Sequence, residues 1–308
     1  MKCVTLRPWN ALISDCLRHG RPLHALRTYI HMLDAGIDPN PRTFISLFKA
    51  CADISDLSRA TELHRDAQNR GFTSNLFVIN TAISMYGKCG AIVEAEDAFC
   101  AMADRSVVSW NVMLSAYAEQ GCGEKILRLF RQMQEEGRVS PDEFTLVCIL
   151  KVCGKIGAID RGQEIHAEIV KQGLLRRSSI SLGNALVEMY AKCNALENAH
   201  LVFNELSSRN LLTWNALISG YVEHGYGEKA MHFYELMRNE GLIPNAMTFI
   251  CILKACGSMG ATSVGQQIHE EMINMRLLEI DNLVVGTALI DMYVKCGFVA
   301  KAQEVFDE

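Results

Sequence analysis

The chain has 308 residues, of which 49% are hydrophobic and 7% aromatic, and a formal net charge of −5 at pH 7. By length this is about two average domains with a sizeable core, and a pI near 6.0 argues against a basic tail or attachment to nucleic acid by bulk charge alone. No run of 18 apolar residues marks a membrane span. The N-terminal stretch lacks a secretory or transit pattern, so the twelve cysteines are not read as a disulfide framework.

Taken in chain order, the sequence repeats itself. Trp9-Asn10 opens WNALISDCLRHG, which returns as WNVMLSAYAEQG at Trp110 and WNALISGYVEHG at Trp214. LFKAC ends at Cys51 and returns as ILKVC at Cys153 and ILKAC at Cys256, each followed thirteen residues on by His64, His166 or His269. MYGKC ends at Cys89 and returns as MYAKC at Cys193 and MYVKC at Cys296. The long period is about 103 residues and holds three shorter units. Matching the strings gives units 6–40, 41–75, 76–106, 107–142, 143–179, 180–210, 211–245, 246–282 and an incomplete 283–308.

Each unit reads as helix–turn–helix. In 211–245, Leu217, Ile218 and Tyr221 follow Trp214 at spacings of three, four and seven, a single helical stripe. His224-Gly225 ends that helix, and a second runs from Lys229 to Met237 with Ala230, Phe233, Tyr234 and Met237 on one face. Gly241 stops it and Pro244 cannot continue it. No strand-like alternation occurs, so the expected fold is all-α, about eighteen helices in hairpins. One hairpin cannot bury its apolar face alone, whereas nine stacked hairpins make a continuous core. The expected architecture is therefore a single array over 6–308, a right-handed superhelical solenoid.

A tetratricopeptide repeat would show W-x2-L-G-x2-Y with a terminal proline. Here Trp is followed by Asn, the Leu-Gly pair is missing, and unit lengths alternate. The segments VVSWNVMLSAYAEQG, TFICILKACGSMGA and NALVEMYAKC, with the 35–35–31 rhythm of the first three units, resemble pentatricopeptide repeat proteins, specifically the plant class with alternating ordinary, long and short units. The resemblance covers residues 6–308. It implies sequence-specific binding of single-stranded RNA in a mitochondrion or chloroplast, one base per repeat. It also implies that the fifth and last residues of a unit read the base, with an apolar residue near the unit start wedged between bases.

On that mapping the base-reading residues are Asn10 with Asn40, Asn80 with Ser106, Asn111 with Asp142, Asn184 with Asn210, Asn215 with Asn245, and Thr287. Asn offers donor and acceptor on one amide, matching a pyrimidine edge. Ionised Asp accepts only, which suits the N3–H of uracil, so Asn111/Asp142 reads as a uracil pocket. Asn80/Ser106 resembles the family's cytosine-favouring pair, the three Asn/Asn pairs resemble pockets for either pyrimidine, and Thr287 resembles a purine reader. Ile45, Val147 and Ile250 of the long units have no polar group and predict weak or no readout. The expected footprint is pyrimidine, any, C, U, any, pyrimidine, pyrimidine, any, purine. The competing reading of each Asn is a simple helix N-cap. The wedges are Phe77, Val108, Leu212 and Val284, with ordinary core packing as the alternative. Lys49, Lys151 and Lys254 follow Ile45, Val147 and Ile250 by four residues, roughly 40° around a helix, and Lys88, Lys192 and Lys295 lie roughly 80° from Asn80, Asn184 and Thr287. All six border the reading face as phosphate-contact candidates. Glu119 and Glu223 occupy the same border, making the groove mixed in sign, and a solvated face is the alternative for the lysines.

Three motifs fail on context. His166-x-Glu168 and His269-x-Glu271 fit half of a zinc deaminase, yet no CxxC exists and no two cysteines lie closer than five residues. The Cys/His pairs offer two ligands per unit where structural zinc needs four, so no metal and no cofactor are expected. Gly225-x-Gly227-x-x-Ala230 follows a helix rather than a strand. No catalytic motif remains, so the chain is expected not to be an enzyme. The expected partner is single-stranded RNA, an organellar transcript, with other editing or processing factors and no membrane. The processing implied is C-to-U editing; the alternative is a peptide-binding helical scaffold. Because the sequence stops inside a short unit at Glu308, the array is expected to belong to a longer protein.

Overall fold

The computed structural model describes residues 6–177, 180–277 and 283–307. Met1 and Glu308, which frame the expectation of a longer protein, lie outside the described residues. Contacts group the chain into two compact units, Met1–Ile149 and Leu150–Glu308, each of which repeats the same stacking.

In the first, helices run α1 (Leu6–Arg18), α2 (Pro22–Asp34), α3 (Pro41–Ile54), α4 (Leu57–Asn69), α5 (Leu76–Lys88), α6 (Ile92–Cys100), α7 (Val107–Glu119) and α8 (Gly123–Glu136), with α9 (Glu143–Ile156) beginning at its end. In the second they run α10 (Ile159–Lys171), α11 (Leu174–Arg177), α12 (Ile180–Lys192), α13 (Leu196–Glu205), α14 (Leu211–Glu223), α15 (Gly227–Asn239), α16 (Ala246–Met259), α17 (Thr262–Asn274), α18 (Leu283–Lys295) and α19 (Val299–Asp307). No strand occurs among the described residues. The fold is all-α, as the sequence reads. The helix beyond the expected eighteen is α11, a four-residue restart after Gly173 turns the chain at φ 65°.

Within each compact unit adjacent helices pair as hairpins and first helices pack on one another, α1 on α3, α3 on α5 and α5 on α7 in the first, α12 on α14, α14 on α16 and α16 on α18 in the second. That position explains their composition. Helix α5 buries Val78, Ile79, Asn80, Ala82, Ile83, Met85, Tyr86 and Gly87 because it meets α3, α6 and α7. Helix α4, on the second layer, buries only Ala60, Leu63 and Ala67, one stripe at helical spacing. Helix lengths carry the alternation of units. The first three hairpins measure 13 and 13, 14 and 13, and 13 and 9 residues. Residues 211–274 repeat the first two of these hairpins, with helices of 13 and 13 and of 14 and 13 residues.

The repeated residues hold the layers together. A Cβ on Gly87 would lie 2.7 Å from the Ala116 Cβ and 3.0 Å from its Cα, so glycine lets α5 and α7 approach closely. Trp110 meets Phe99 edge-on at 5.0 Å and Trp214 meets Phe203 at 4.7 Å. Arg105 sits over the Phe99 ring, donates from Nε to the Phe99 carbonyl and pairs with Glu136 at 2.9 Å. Arg209 repeats this on Phe203 and Glu240. Both arginines thus close the end of a short second helix, whose last carbonyls lack intrahelical partners.

The decoy motifs resolve as packing. His64, His166 and His269 are hydrogen-bonded through Nδ1 to the hydroxyls of Tyr86, Tyr190 and Tyr293, each at 2.9 Å. Cys51, Cys153 and Cys256 are fully buried, and their carbonyls accept from the Cys89, Cys193 and Cys296 thiols at 3.9, 3.6 and 3.8 Å. Burial pushes the Cys153 and Cys256 thiols up to about 11, so they stay protonated and inert. Among the described residues no group of three or more His, Cys, Asp or Glu side chains is placed to hold a metal ion. Likewise, no described helix is long and apolar enough to cross a membrane.

Candidate nucleic-acid interface

Asn10, Asn80, Asn111, Asn184 and Asn215 are each the fifth residue of a first helix, which places them inside α1, α5, α7, α12 and α14 rather than at a cap. The N-cap reading fails for these five. It holds for the other member of each pair: Asn40, Ser106, Asn210 and Asn245 cap α3, α7, α14 and α16 in capping boxes. Asp142 caps α9 in the same way, accepting from the Thr145 N–H at 2.9 Å. The residue that ends one unit therefore starts the next unit's helix, and this brings each pair together across about thirty residues of sequence.

The pairs are bonded. Asn10 donates from Nδ2 to Asn40 Oδ1 at 3.2 Å, Asn184 to Asn210 at 3.3 Å and Asn215 to Asn245 at 3.2 Å. Asn111 Nδ2 spans both Asp142 oxygens at 3.0 and 3.1 Å. Burial raises the Asp142 pKa, but the Thr145 N–H, the Asn111 amide and the Thr145 hydroxyl outweigh it and hold the carboxyl below its ordinary range. Asp142 is therefore an ionised, acceptor-only group at neutral pH. Asn80 and Ser106 differ: Asn80 Oδ1 is buried without a hydrogen-bond partner. Thr287 is exposed and its hydroxyl donates to the Leu283 carbonyl at 2.6 Å. Ile45, Val147 and Ile250 are half-buried and bring no polar atom to the face.

Three residues before each reading position, a side chain stands out into solvent. Phe77 is 76% exposed, Val108 54%, Leu212 63% and Val284 65%, which excludes the core-packing reading of all four. The same register holds exposed Phe144 and Met247 in long units, and exposed Arg7 and Arg42 near the N-terminus. Sequence reasoning passed over these four. The constant offset of three from Asn10, Ile45, Val147 and Ile250 was the signal available.

Two grooves expose this chemistry in the first compact unit. One of about 560 Å³ is lined by Phe77, Asn80, Ser106, Val108, Lys49 and Lys88. Another of about 600 Å³ is lined by Arg7, Asn10, Asn40 and Arg42. Lys49, Lys88, Lys151 and Lys254 are exposed. Lys192 and Lys295 are exposed too, but are held by Glu188 and Asp291 of their own helices at 2.5 and 2.7 Å. Glu119 and Glu223 are exposed on the same border, so the face is mixed in sign.

Helical hairpins whose ordinary and short units carry a polar pair between one first helix and the start of the next, with an exposed side chain three residues before it, define a helical-repeat array. Residues 8–53, 105–155 and 209–258 match the PPR repeat family, and residues 77–107 and 287–308 match the PPR repeat. The chain belongs to the pentatricopeptide repeat family. A chloroplastic pentatricopeptide repeat-containing protein of Arabidopsis thaliana is 36% identical over 97% of this chain and 48% of its own length. Another from Arabidopsis thaliana, chloroplastic/mitochondrial, is 34% identical over 96% of this chain and 46% of its own length. The chain thus spans less than half of these relatives. Among solved structures, the maize pentatricopeptide repeat protein PPR10 superposes with a TM-score of 0.70 at 22% identity, over 99% of this chain and 43% of that one. PPR10 has also been solved in complex with an 18-nucleotide psaJ RNA element, with a TM-score of 0.65 at 18% identity, over 97% of this chain and 49% of that one.

Proposed function

We propose that this chain binds single-stranded RNA along the face of its first helices, one base per reading pair, and that it serves as the specificity element of an organellar RNA-processing factor, directing C-to-U editing. The observation that carries the reading is the recurrence of one bonded pair, with one exposed side chain three residues before it. In the Asn111/Asp142 pocket, the ionised carboxylate accepts from the uracil N3–H and the second Asn111 N–H donates to a flanking carbonyl. Cytosine has no N3–H to give. Exposed Phe77, Val108, Leu212 and Val284 supply stacking surface that any base can use. Lysines 49, 88, 151 and 254 supply local phosphate contacts. The organelle rests on the chloroplastic and chloroplastic/mitochondrial naming of the relatives, and the editing role on the resemblance of the alternating unit lengths to the plant class; other editing or processing factors would be its protein partners.

The test is a binding assay with the RNA 5′-UACUAUUAG-3′, built on the expected footprint. Changing base 4, opposite Asn111/Asp142, from U to G is expected to weaken binding about tenfold or more. Asn111→Thr is expected to reverse that preference, since a hydroxyl with Asp resembles the family's guanine reader. If the RNA fails to bind at all, the peptide-scaffold reading takes its place.

A further inference from the structure

The reading asparagines are held by a third residue that belongs to the next unit. Thr43, Thr145, Thr213 and Thr248 are each the third residue of a first helix. Their hydroxyls reach Asn10, Asn111, Asn184 and Asn215 Oδ1 at 2.7, 2.6, 2.5 and 2.8 Å. Each threonine also lies near its own cap oxygen, at 3.1 Å for Asn40, 2.8 Å for Asp142, 3.1 Å for Asn210 and 3.0 Å for Asn245. A hydroxyl has one proton, and the contact to the reader is the shorter in all four. The cap oxygen already accepts from the threonine N–H and from the reader's Nδ2.

The amide orientation follows from chemistry. Carboxylate oxygens only accept, so Asn111 must turn Nδ2 toward Asp142, which turns its Oδ1 toward Thr145. A clamped asparagine therefore has its carbonyl committed and keeps one free N–H for a base. The unit 76–106 breaks the pattern. The residue in the clamp position is Ser109; it keeps the two cap contacts that the threonines make, at 3.1 Å from Ser106 Oγ and 3.3 Å from the Ser106 N–H, but gives no hydrogen bond to Asn80 Oδ1. Asn80, only 9% exposed, is left with its Oδ1 buried and unpartnered beside the groove. Threonine's branched Cβ restricts the hydroxyl to few directions, whereas serine is freer to turn toward its cap.

We propose that the third residue of each unit that follows a reading asparagine is a positioning residue for that asparagine's base pocket: threonine clamps the asparagine with its N–H edge toward the base, and Ser109 leaves the Asn80 amide free to turn its carbonyl into the groove and accept from the amino group of cytosine. This rests on the base-reading proposed above. The test measures dissociation constants for 5′-UACUAUUAG-3′ and for versions with C and U exchanged at base 3 or base 4, using wild type, Ser109→Thr and Thr145→Ser. Both substitutions keep a hydroxyl for the capping box. Ser109→Thr is expected to cut the C-over-U preference at base 3 roughly 3- to 10-fold, the weight of one hydrogen bond, with base 4 and the melting temperature unchanged. Thr145→Ser is expected to cut the U-over-C preference at base 4 by a similar factor. If wild type discriminates at both bases and neither variant changes the ratios, the clamp is wrong while the base-reading stands. Losses spread evenly over all bases, or tracking a fall in melting temperature, would mark a structural role and overturn the clamp. A wild type indifferent to both exchanges overturns the base-reading and the clamp together.

Discussion

Phe77→Ala separates binding from folding most cleanly. Phe77 is 76% exposed in the protein alone, so its removal takes little from the core and stability should stay within about 0.5 kcal/mol. A phenylalanine offers about 200 Å² to burial, and at 76% exposure about 150 Å² of that remains open. A base lying on one face covers about half, or about 75 Å². At 25 cal/mol per Å² this is about 1.9 kcal/mol, or about 25-fold in Kd. The value falls inside the range of about 1–3 kcal/mol found for a base on an aromatic ring. The assay is fluorescence anisotropy with labelled 5′-UACUAUUAG-3′, run beside a melting curve of each protein. An unchanged Kd refutes the stacking role. A melting temperature lowered by several degrees refutes the claim that Phe77 stands outside the core.

Two further outcomes test the fold. Gly87→Ala should destabilise by about 1–3 kcal/mol despite alanine's better helix propensity, because the added Cβ meets Ala116 backbone at 3.0 Å; an unchanged urea midpoint would disprove the close approach of α5 and α7. Burial lowers the pKa of His64 from 6.5 and, against a smaller opposing effect of Glu205, that of His166. The unfolded chain therefore takes up protons first as pH falls, so this stability is fully present above pH 6.5 and is lost below it until the folded values are reached. The slope is at most about 1.4 kcal/mol per pH unit for each histidine. His64→Asn should flatten the dependence of melting temperature on pH between about 7.5 and about 5.5, the window around the ordinary histidine value; an unchanged slope would contradict the buried, neutral imidazole.

Much of the fold was legible because the repeats fix register. Trp9, Trp110 and Trp214 mark first helices, and glycine and proline mark the turns. The pairing of fifth and last residues was legible only through family resemblance, since nothing local connects Asn111 to Asp142. Their meeting depends on how the start of α9 sits against α7, a tertiary quantity. The clamp was harder still. Thr43, Thr145, Thr213 and Thr248 look like the inner half of a capping box, and that role is real, which hides the second one. Recurrence of threonine at the third place of the units that follow a reading asparagine, with Ser109 as the exception, was the available signal. Exposure of Phe144 and Met247 escaped because long units with apolar fifth residues were set aside as silent.

The shared cap has a consequence for exchange between such proteins. Asn111 lies in one hairpin, while Asp142 and Thr145 begin the helix of the next, yet they form one hydrogen-bonded cluster. The module that a recombination event must carry intact to move one letter of specificity runs from the fifth residue of a hairpin through the third residue of its successor. A crossover placed at the hairpin boundary would scramble the one letter that spans it while preserving every helix, so the grammar of recognition is offset from the grammar of folding by a few residues.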